Sequence, residues 1–380
     1  MDKYTKIVGK SNLKTLLNSA YSHIAEGKIE VVMGNPSCDQ DSFIGSHILA
    51  AMEGRIPVVN LSKEIFKCKK DLVTVCGMMG IDPEQLVYLV KENNEWILQH
   101  GAKKYPLKDK TVVATIIDFN LPDAELLLLE NFSVDRVIDH HPILEFNEMH
   151  SKVEGMTIEL NAGSCCSLIY RHINSKYAKL LEEKKQTPEY NFLLLLTIPI
   201  MTDTSGLEKR VHNVDIHGVH SLLESVNLTM DDSQSVLADL KKFKKCESEI
   251  ATELILQMDY KSFNYPAKYG NKTFGISSAK YAYEDWVQRD GSAAWKQKIK
   301  EFVEKNGHEF FLLNVKVNNV REFYVYNLPS MEFIEKGIYQ GKPVEKREIN
   351  GDKDIVVYKV DNAISRKIVA PMIYKYLESK

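Results

Sequence analysis

No stretch of this sequence is long and apolar enough to cross a bilayer. The greasiest, Phe192 to Met201, falls well short of the ~20 residues a spanning helix needs and contains Pro199. No membrane partner is therefore expected. The opening Met1-Asp2-Lys3-Tyr4-Thr5-Lys6 lacks the apolar core of a secretory signal. Six cysteines, at positions 38, 68, 76, 165, 166 and 246, form no zinc-type CxxC pair. Adjacent Cys165-Cys166 reads as two small packing residues, and these absences together predict a reduced, cytoplasmic protein. An excess of one charge is missing too. The 49 Lys and Arg against 52 Asp and Glu leave a net charge of −3, which argues against a non-specific nucleic-acid binder. Any polyanion must be attracted locally, by metals and a few Lys and Arg. There is no internal repeat, no low-complexity tract and no heptad, so oligomeric state stays open.

What is present begins with Asp139-His140-His141-Pro142, delivered at the end of the apolar run Val134-Asp135-Arg136-Val137-Ile138. Three metal-capable side chains in a row are costly to bury without a cation. Two other segments repeat the arrangement. Glu30-Val31-Val32-Met33 runs into Gly34-Asn35-Pro36-Ser37-Cys38-Asp39-Gln40-Asp41-Ser42, and Thr111 to Ile117 runs into Asp118-Phe119-Asn120. A fourth element fits the same scheme: Asp203 follows the apolar run that ends at Met201. In an open parallel sheet the carboxyl ends of the strands share one crevice, where ligands bind. Asp39 and Asp41 suit two ions sharing a site, Asp118 a bridge between them, and His140 a ligand that leaves His141 for substrate. Four aspartates, two histidines and one asparagine are mostly hard donors, better matched to magnesium or manganese than to zinc. Two divalent ions, clamping the attacking and leaving oxygens of an in-line displacement, are the expected cofactors.

Alternating strand and helix patterns over the first two thirds predict an α/β fold, a mostly parallel sheet covered by helices. Helical spacing follows Asp41, Ile56 to Leu61 reads as a strand, and Asp82-Pro83 is expected to open a short helix over 82–89. A strand over 156–160 follows, and Gly163-Ser164-Cys165-Cys166 opens a helix with small residues. At 380 residues there is room for two domains. The polar stretch from Val226 to Ser233 separates a domain over 1–226 from one over 236–380. The second carries strand-like runs at 272–276, 310–317, 322–326 and 355–360, then a final helix from Ser365. Lys241-Lys242-Phe243-Lys244-Lys245 is either a track for a polyanion or an ordinary solvated helix face.

These residues resemble the DHH phosphoesterase superfamily. Gly34 to Ser42 looks like its first motif, Asp118 its second, Asp139-His140-His141 the signature that names it, and Asp203 in Thr-Asp-Thr the fourth. Ser365-Arg366-Lys367-Ile368-Val369-Ala370-Pro371 is similar to the substrate-binding motif of the pyrophosphatase-type C-terminal domain. The Gly-Gly-Gly-His motif of the nuclease branch is absent, which argues against an oligonucleotide exonuclease. Family II pyrophosphatases carry His where this chain has Asn35, whereas eukaryotic cytosolic exopolyphosphatases and the related prune proteins carry Asn. Animal prune proteins depart from the full Asp-His-His motif, which this chain keeps. The resemblance implies Asn35, Asp39, Asp41, Asp118, His140 and Asp203 around the metals. It implies His141 on the phosphate being cleaved and Arg366 and Lys367 as phosphate clamps, with the active site in the cleft between a DHH domain and a smaller α/β C-terminal domain. The implied reaction is removal of terminal phosphate from inorganic polyphosphate or short polyphosphates. A pyrophosphatase, or a prune-like nucleotide phosphodiesterase or binding protein, is the alternative.

Overall fold

Short runs, rich in Val and Ile at the centre of the sheet, supply the strands of the first half: β1 (Lys28–Met33), β2 (Ile56–Val59), β3 (Val87–Glu92), β4 (Glu95–His100), β5 (Lys103–Pro106), β6 (Thr111–Ile117), β7 (Phe132–Asp139) and β8 (Gly155–Ile158). The computed structural model describes residues 1–143, 146–243 and 248–380. These strands join in the order β5-β4-β3-β2-β1-β6-β7-β8. Pairing is parallel from β3 through to β8 and antiparallel only where β4 and β5 fold back on β3. The central strands are buried on both faces, as parallel strands covered by helices must be. The helices Gln40–Glu53 and Cys165–Lys176 pack against each other. The expected α/β class and mostly parallel sheet are thus present.

The order places the switch point of the sheet between β1 and β6, since the chain leaves β1 towards β2 on one side and β6 towards β7 on the other. Loops leaving these two strand ends diverge, and a crevice opens between them.

One local expectation is corrected. Instead of a helix over 82–89, Asp82 caps a single 3₁₀ turn, Pro83–Gln85, by accepting a bond from the Glu84 amide at 2.9 Å. Val87, Tyr88 and Leu89 then enter β3 fully buried, because a run of β-branched and aromatic residues gains more from sheet pairing than from extending one turn. The hairpin signal that went unread was Asn93-Asn94, both at positive φ (50° and 64°) between β3 and β4. Pro199 lies in the first turn of the helix Thr197–Asp203, where a proline is tolerated.

The chain divides into two compact units, Met1–Lys244 and Lys245–Lys380. The first runs on past the turn-prone 226–233 stretch because Met230–Phe243 is an amphipathic helix that buries Val236, Leu237 and Leu240. Lys3 also pairs with Asp232 at 2.6 Å. Of the lysine stretch, Lys242 pairs with Asp239 on that helix; Lys244 and Lys245 lie outside the described residues. The second unit holds β9 (Tyr260–Asn264), β10 (Thr273–Ala279), β11 (His308–Val317), β12 (Val320–Tyr326), β13 (Glu345–Ile349) and β14 (Asp352–Val360), in the order β13-β14-β12-β11-β10-β9. One face packs on Trp286 and Trp295, the other on Phe333 and the final helix, Arg366–Glu378. Among the described residues no helix is long and apolar enough to cross a membrane.

Behind the sheet, Glu53 (3 % exposed) collects Arg136 at 2.7 Å, Lys176 at 2.7 Å and His172 at 3.2 Å. Burial acts to raise its carboxyl, but bonds from His172 and Lys176 and the Arg136 guanidinium prevail and hold it far below the usual carboxylate range. A depressed folded-state pKa gives stability that is present above the unfolded value and lost as pH falls below it. Glu53→Gln should therefore cost about 3 kcal/mol at neutral pH, with the deficit shrinking below ~pH 4. Urea melts of both proteins at pH 7 and pH 3.5 measure it, and equal midpoints at pH 7 would discard the assignment.

Candidate metal centre

The carboxyl ends of β1, β6 and β7 lie side by side, and each bends sharply just beyond the sheet. At β1, Gly34 permits the bend: a Cβ there would stand 2.5 Å from Ser42 Cβ. Asp39 then caps the following helix by accepting from the Ser42 amide at 3.1 Å. That cap fixes Asp41 in the first turn, facing inward, while Asp39 itself stays exposed. At β6, Asp118 adopts φ 63°, a left-handed conformation that Asp tolerates better than most residues. Its amide donates to Ile138 O at 2.9 Å, which pins the turn to β7.

Each carboxylate is held from behind. Asp118 Oδ2 accepts from Asn35 Nδ2 at 2.6 Å and from Ser42 Oγ at 2.8 Å, so Oδ1 is the atom facing His140 Nε2 at 3.4 Å. Asp41 sits on the N-terminus of Cys165–Lys176, accepting from Ser164 Oγ at 2.5 Å and from the Cys165 and Cys166 amides at 3.0 Å. The helix dipole and these donors favour a negative charge there. Burial nevertheless pushes the Asp41 carboxyl up to about 6, helped by the Asp118 charge and opposed by His140. Asp203, the last residue of its helix, completes a group with Asp41 and His140.

The two imidazoles are oriented separately. His140 Nδ1 lies 3.2 Å from Ala162 O, so it carries the proton and leaves the Nε2 lone pair facing the carboxylates. His141 Nδ1 lies 2.8 Å from Asp139 Oδ1. Asp139 also accepts from the His140 amide at 2.8 Å and from Asn120 Nδ2 at 2.7 Å. Burial acts to raise Asp139, but the His141 bond and the charges of His141 and His140 keep it below the usual carboxylate value.

Two groups with ligand atoms within 4.8 Å of one another result: Asp118, His140 and His141, and Asp41, His140 and Asp203. The donor set fits a hard divalent cation. Buried carboxylates raise one another's pKa, an imidazole lone pair is aimed among them, and a cation relieves both conditions. Asp39 falls in neither group. Asn35 adjoins them, but its amide is committed. Its Oδ1 accepts from the Ser37 and Cys38 amides at 2.8 and 3.2 Å, which are donors only, so its NH₂ must face Asp118. In the second unit Arg366 and Lys367 begin the final helix. Ser365 is its N-cap residue without a side-chain capping bond, and Arg366 binds the Asp259 carboxylate and carbonyl, each at 2.7 Å.

Sequence reasoning counted Asp139 among the metal-capable side chains without foreseeing that it orients His141, and it gave no role to Asn120, Ser164 or Asp215. The last, fully buried, accepts from the Gly163 amide, Ser167 Oγ and the His212 amide. It draws the Gly163-Ser164 turn against the loop before Asn213–Glu224, so closely that a Cβ at Gly163 would meet Arg210 O at 2.4 Å. The available signal was Asp215 itself, three residues after His212 at a helix start, the spacing of a capping box.

Residues 238–376 match the model of the DHHA2 domain. Over 276 residues the chain is 26% identical to exopolyphosphatase PRUNE1 of Bos taurus, covering 70% of this chain and 55% of that protein. Exopolyphosphatase PRUNE1 of Homo sapiens is 24% identical over 245 residues, 62% of this chain and 49% of that one. The chain spans about half the length of the curated relatives it matches. A putative family II inorganic pyrophosphatase from Methanococcus jannaschii shares the fold, with a TM-score of 0.62 over 92% of this chain and 99% of that one at 16% identity. Sheet order and an acidic and histidine-bearing switch point define an α/β protein with the fold of that pyrophosphatase. Its C-terminal part is similar to the DHHA2 domain, and its sequence is similar to that of the PRUNE1 proteins.

Proposed function

We propose that this protein is a metal-dependent phosphohydrolase, an exopolyphosphatase that removes the terminal phosphate of inorganic polyphosphate. The observation that carries the reading is the convergence of Asp41, Asp118, His140, His141 and Asp203 at the switch point of the sheet. The similarity to the PRUNE1 exopolyphosphatases supports the same substrate class. Asp41, Asp118, His140 and Asp203 would hold divalent ions, magnesium or manganese, with Asp39 and Asn35 beside them. Such ions supply charge to the phosphoryl oxygens and lower the pKa of water. The bond from His141 Nδ1 to Asp139 orients the ring, and His141 is the imidazole proposed to meet phosphate. Ser164 and the amides of Cys165 and Cys166 keep Asp41 directed inward without spending the His140 lone pair. Arg366 and Lys367 are the cations proposed for substrate phosphate oxygens, a role suited to a guanidinium fork at a helix start.

The test is phosphate release from pyrophosphate, tripolyphosphate and long-chain polyphosphate, with magnesium and with manganese, before and after chelation. Turnover of tripolyphosphate and longer chains, little on pyrophosphate, and loss on chelation are expected. Preference for pyrophosphate would make the protein a pyrophosphatase. No release from any of them would move the reading to nucleotide phosphodiesters or to a binding role.

A further inference from the structure

Between the two motif aspartates stands Gln40, 3 % exposed and turned away from the metal groups. Its Nε2 donates to Asp71 Oδ2 at 2.9 Å, and its Oε1 accepts from Thr202 Oγ1 at 2.7 Å. The orientation is forced. A carboxylate only accepts, so the NH₂ must face Asp71 and the oxygen must face Thr202. Thr202 Oγ1 also lies 2.9 Å from Ile198 O in its own helix. A hydroxyl has one hydrogen, and the Gln40 oxygen has no other donor among the bonds described, so the hydrogen goes to Gln40. Asp71 is in the first turn of Lys70–Met79, Gln40 opens Gln40–Glu53, and Thr202 precedes Asp203 at the end of Thr197–Asp203. A chain of hydrogen bonds through buried Gln40 and part-buried Thr202 thus ties the residue before Asp41 to the residue before Asp203.

We propose that Gln40 and Thr202 are positioning residues for the metal centre, coupling the first aspartate loop to the helix that ends in Asp203. This rests on the metal-centre reading above. Asp41 and Asp203 come from segments far apart in sequence and belong to one group with His140. Without a fixed bond between the segments, each would carry its carboxylate on its own, and a cation would have to meet the ordering cost on binding. Glutamine is suited to the position because one planar amide donates to one side and accepts from the other. A carboxylate there would face Asp71 with like charge.

The experiment titrates Mn²⁺ into metal-free wild type, Gln40→Met, Thr202→Val, the double variant and Thr202→Ser. Binding is followed by electron paramagnetic resonance of free Mn²⁺ at a temperature where circular dichroism shows each protein folded. Gln40→Met and Thr202→Val should each weaken binding about 10-fold, the lower range for partners that orient metal ligands. The double variant should also lose about 10-fold rather than 100-fold, because both changes break one chain. Thr202→Ser, which keeps the hydroxyl, should bind as wild type does. Single variants with wild-type affinity, a fully additive double variant, or a Thr202→Ser as weak as Thr202→Val would each overturn the proposal. Absence of Mn²⁺ binding by wild type would instead overturn the metal-centre reading itself.

Discussion

Asp118→Asn is expected to lower polyphosphate turnover by roughly a thousand-fold while leaving the fold intact. Losing a charge at the proposed ligand removes about 4 kcal/mol of transition-state stabilisation, at ~1.36 kcal/mol per tenfold in rate. The structure selects Asn over Ala. At φ 63° an alanine would add backbone strain of about 1–2 kcal/mol, and a lost fold would then be confused with a lost ligand. Asn tolerates the conformation. Its oxygen can keep the bonds from Asn35 and Ser42, which places its NH₂ where Oδ1 now faces His140 Nε2. A donor there takes the lone pair offered to a cation. Asp118 also raises the Asp41 carboxyl, so removing its charge relieves repulsion in the metal-free protein. The metal-free variant should melt at or above the wild-type temperature. A folded variant with wild-type turnover would reject Asp118 as a ligand.

Asp139→Asn should cost on the order of 10³-fold in kcat, though the residue enters neither metal group. Asp139 accepts from His141 Nδ1, the His140 amide and Asn120 Nδ2. An asparagine has one acceptor oxygen for these donors, so its NH₂ must oppose either Asn120 or the two histidines. In the second case His141 loses the bond that keeps its proton on Nδ1, and the ring orientation and tautomer are no longer fixed. Because the His140 side chain is separately held by Ala162 O, metal binding should be largely retained. The distinguishing readout is a kcat loss with a Mn²⁺ affinity within a few-fold of wild type. Parallel loss of both would make Asp139 part of the metal site.

Much of this was legible from residues alone. Short apolar runs leading into turns that carry Asn, Asp or His marked β1, β6 and β7, because strand ends in a parallel sheet must expose whatever follows the last buried residue. The second unit's strands at 310–317 and 355–360 were legible for the same reason: their apolar runs are longer than any turn can absorb. The hairpins after β3 were not, since pairing with β4 is decided by non-local contacts that a window over 82–89 does not contain. Strands β9 and β13 also escaped: Tyr260–Asn264 is half exposed and Glu345–Ile349 is largely exposed and charged. The helix Met230–Phe243 was misplaced relative to the boundary because polar composition marks a surface face as readily as a linker.

By itself the sequence determined the kind of site: acidic and imidazole donors, in order, at the ends of buried strands, with a superfamily's motifs in their places. That much follows from local chemistry, because residue type and strand-end position are properties of short segments. Only the tertiary structure decided which atom of each residue faces the centre. Asn35 turns its NH₂ to Asp118, Asp39 stays at the exposed rim, Asp41 rests on a helix N-terminus, and Asp139 holds His141 from behind. Those assignments depend on hydrogen-bond partners tens to hundreds of residues away, such as Ser164 for Asp41 and Asn120 for Asp139. A side chain's direction is set by such partners, and they become neighbours only when the sheet has closed around them.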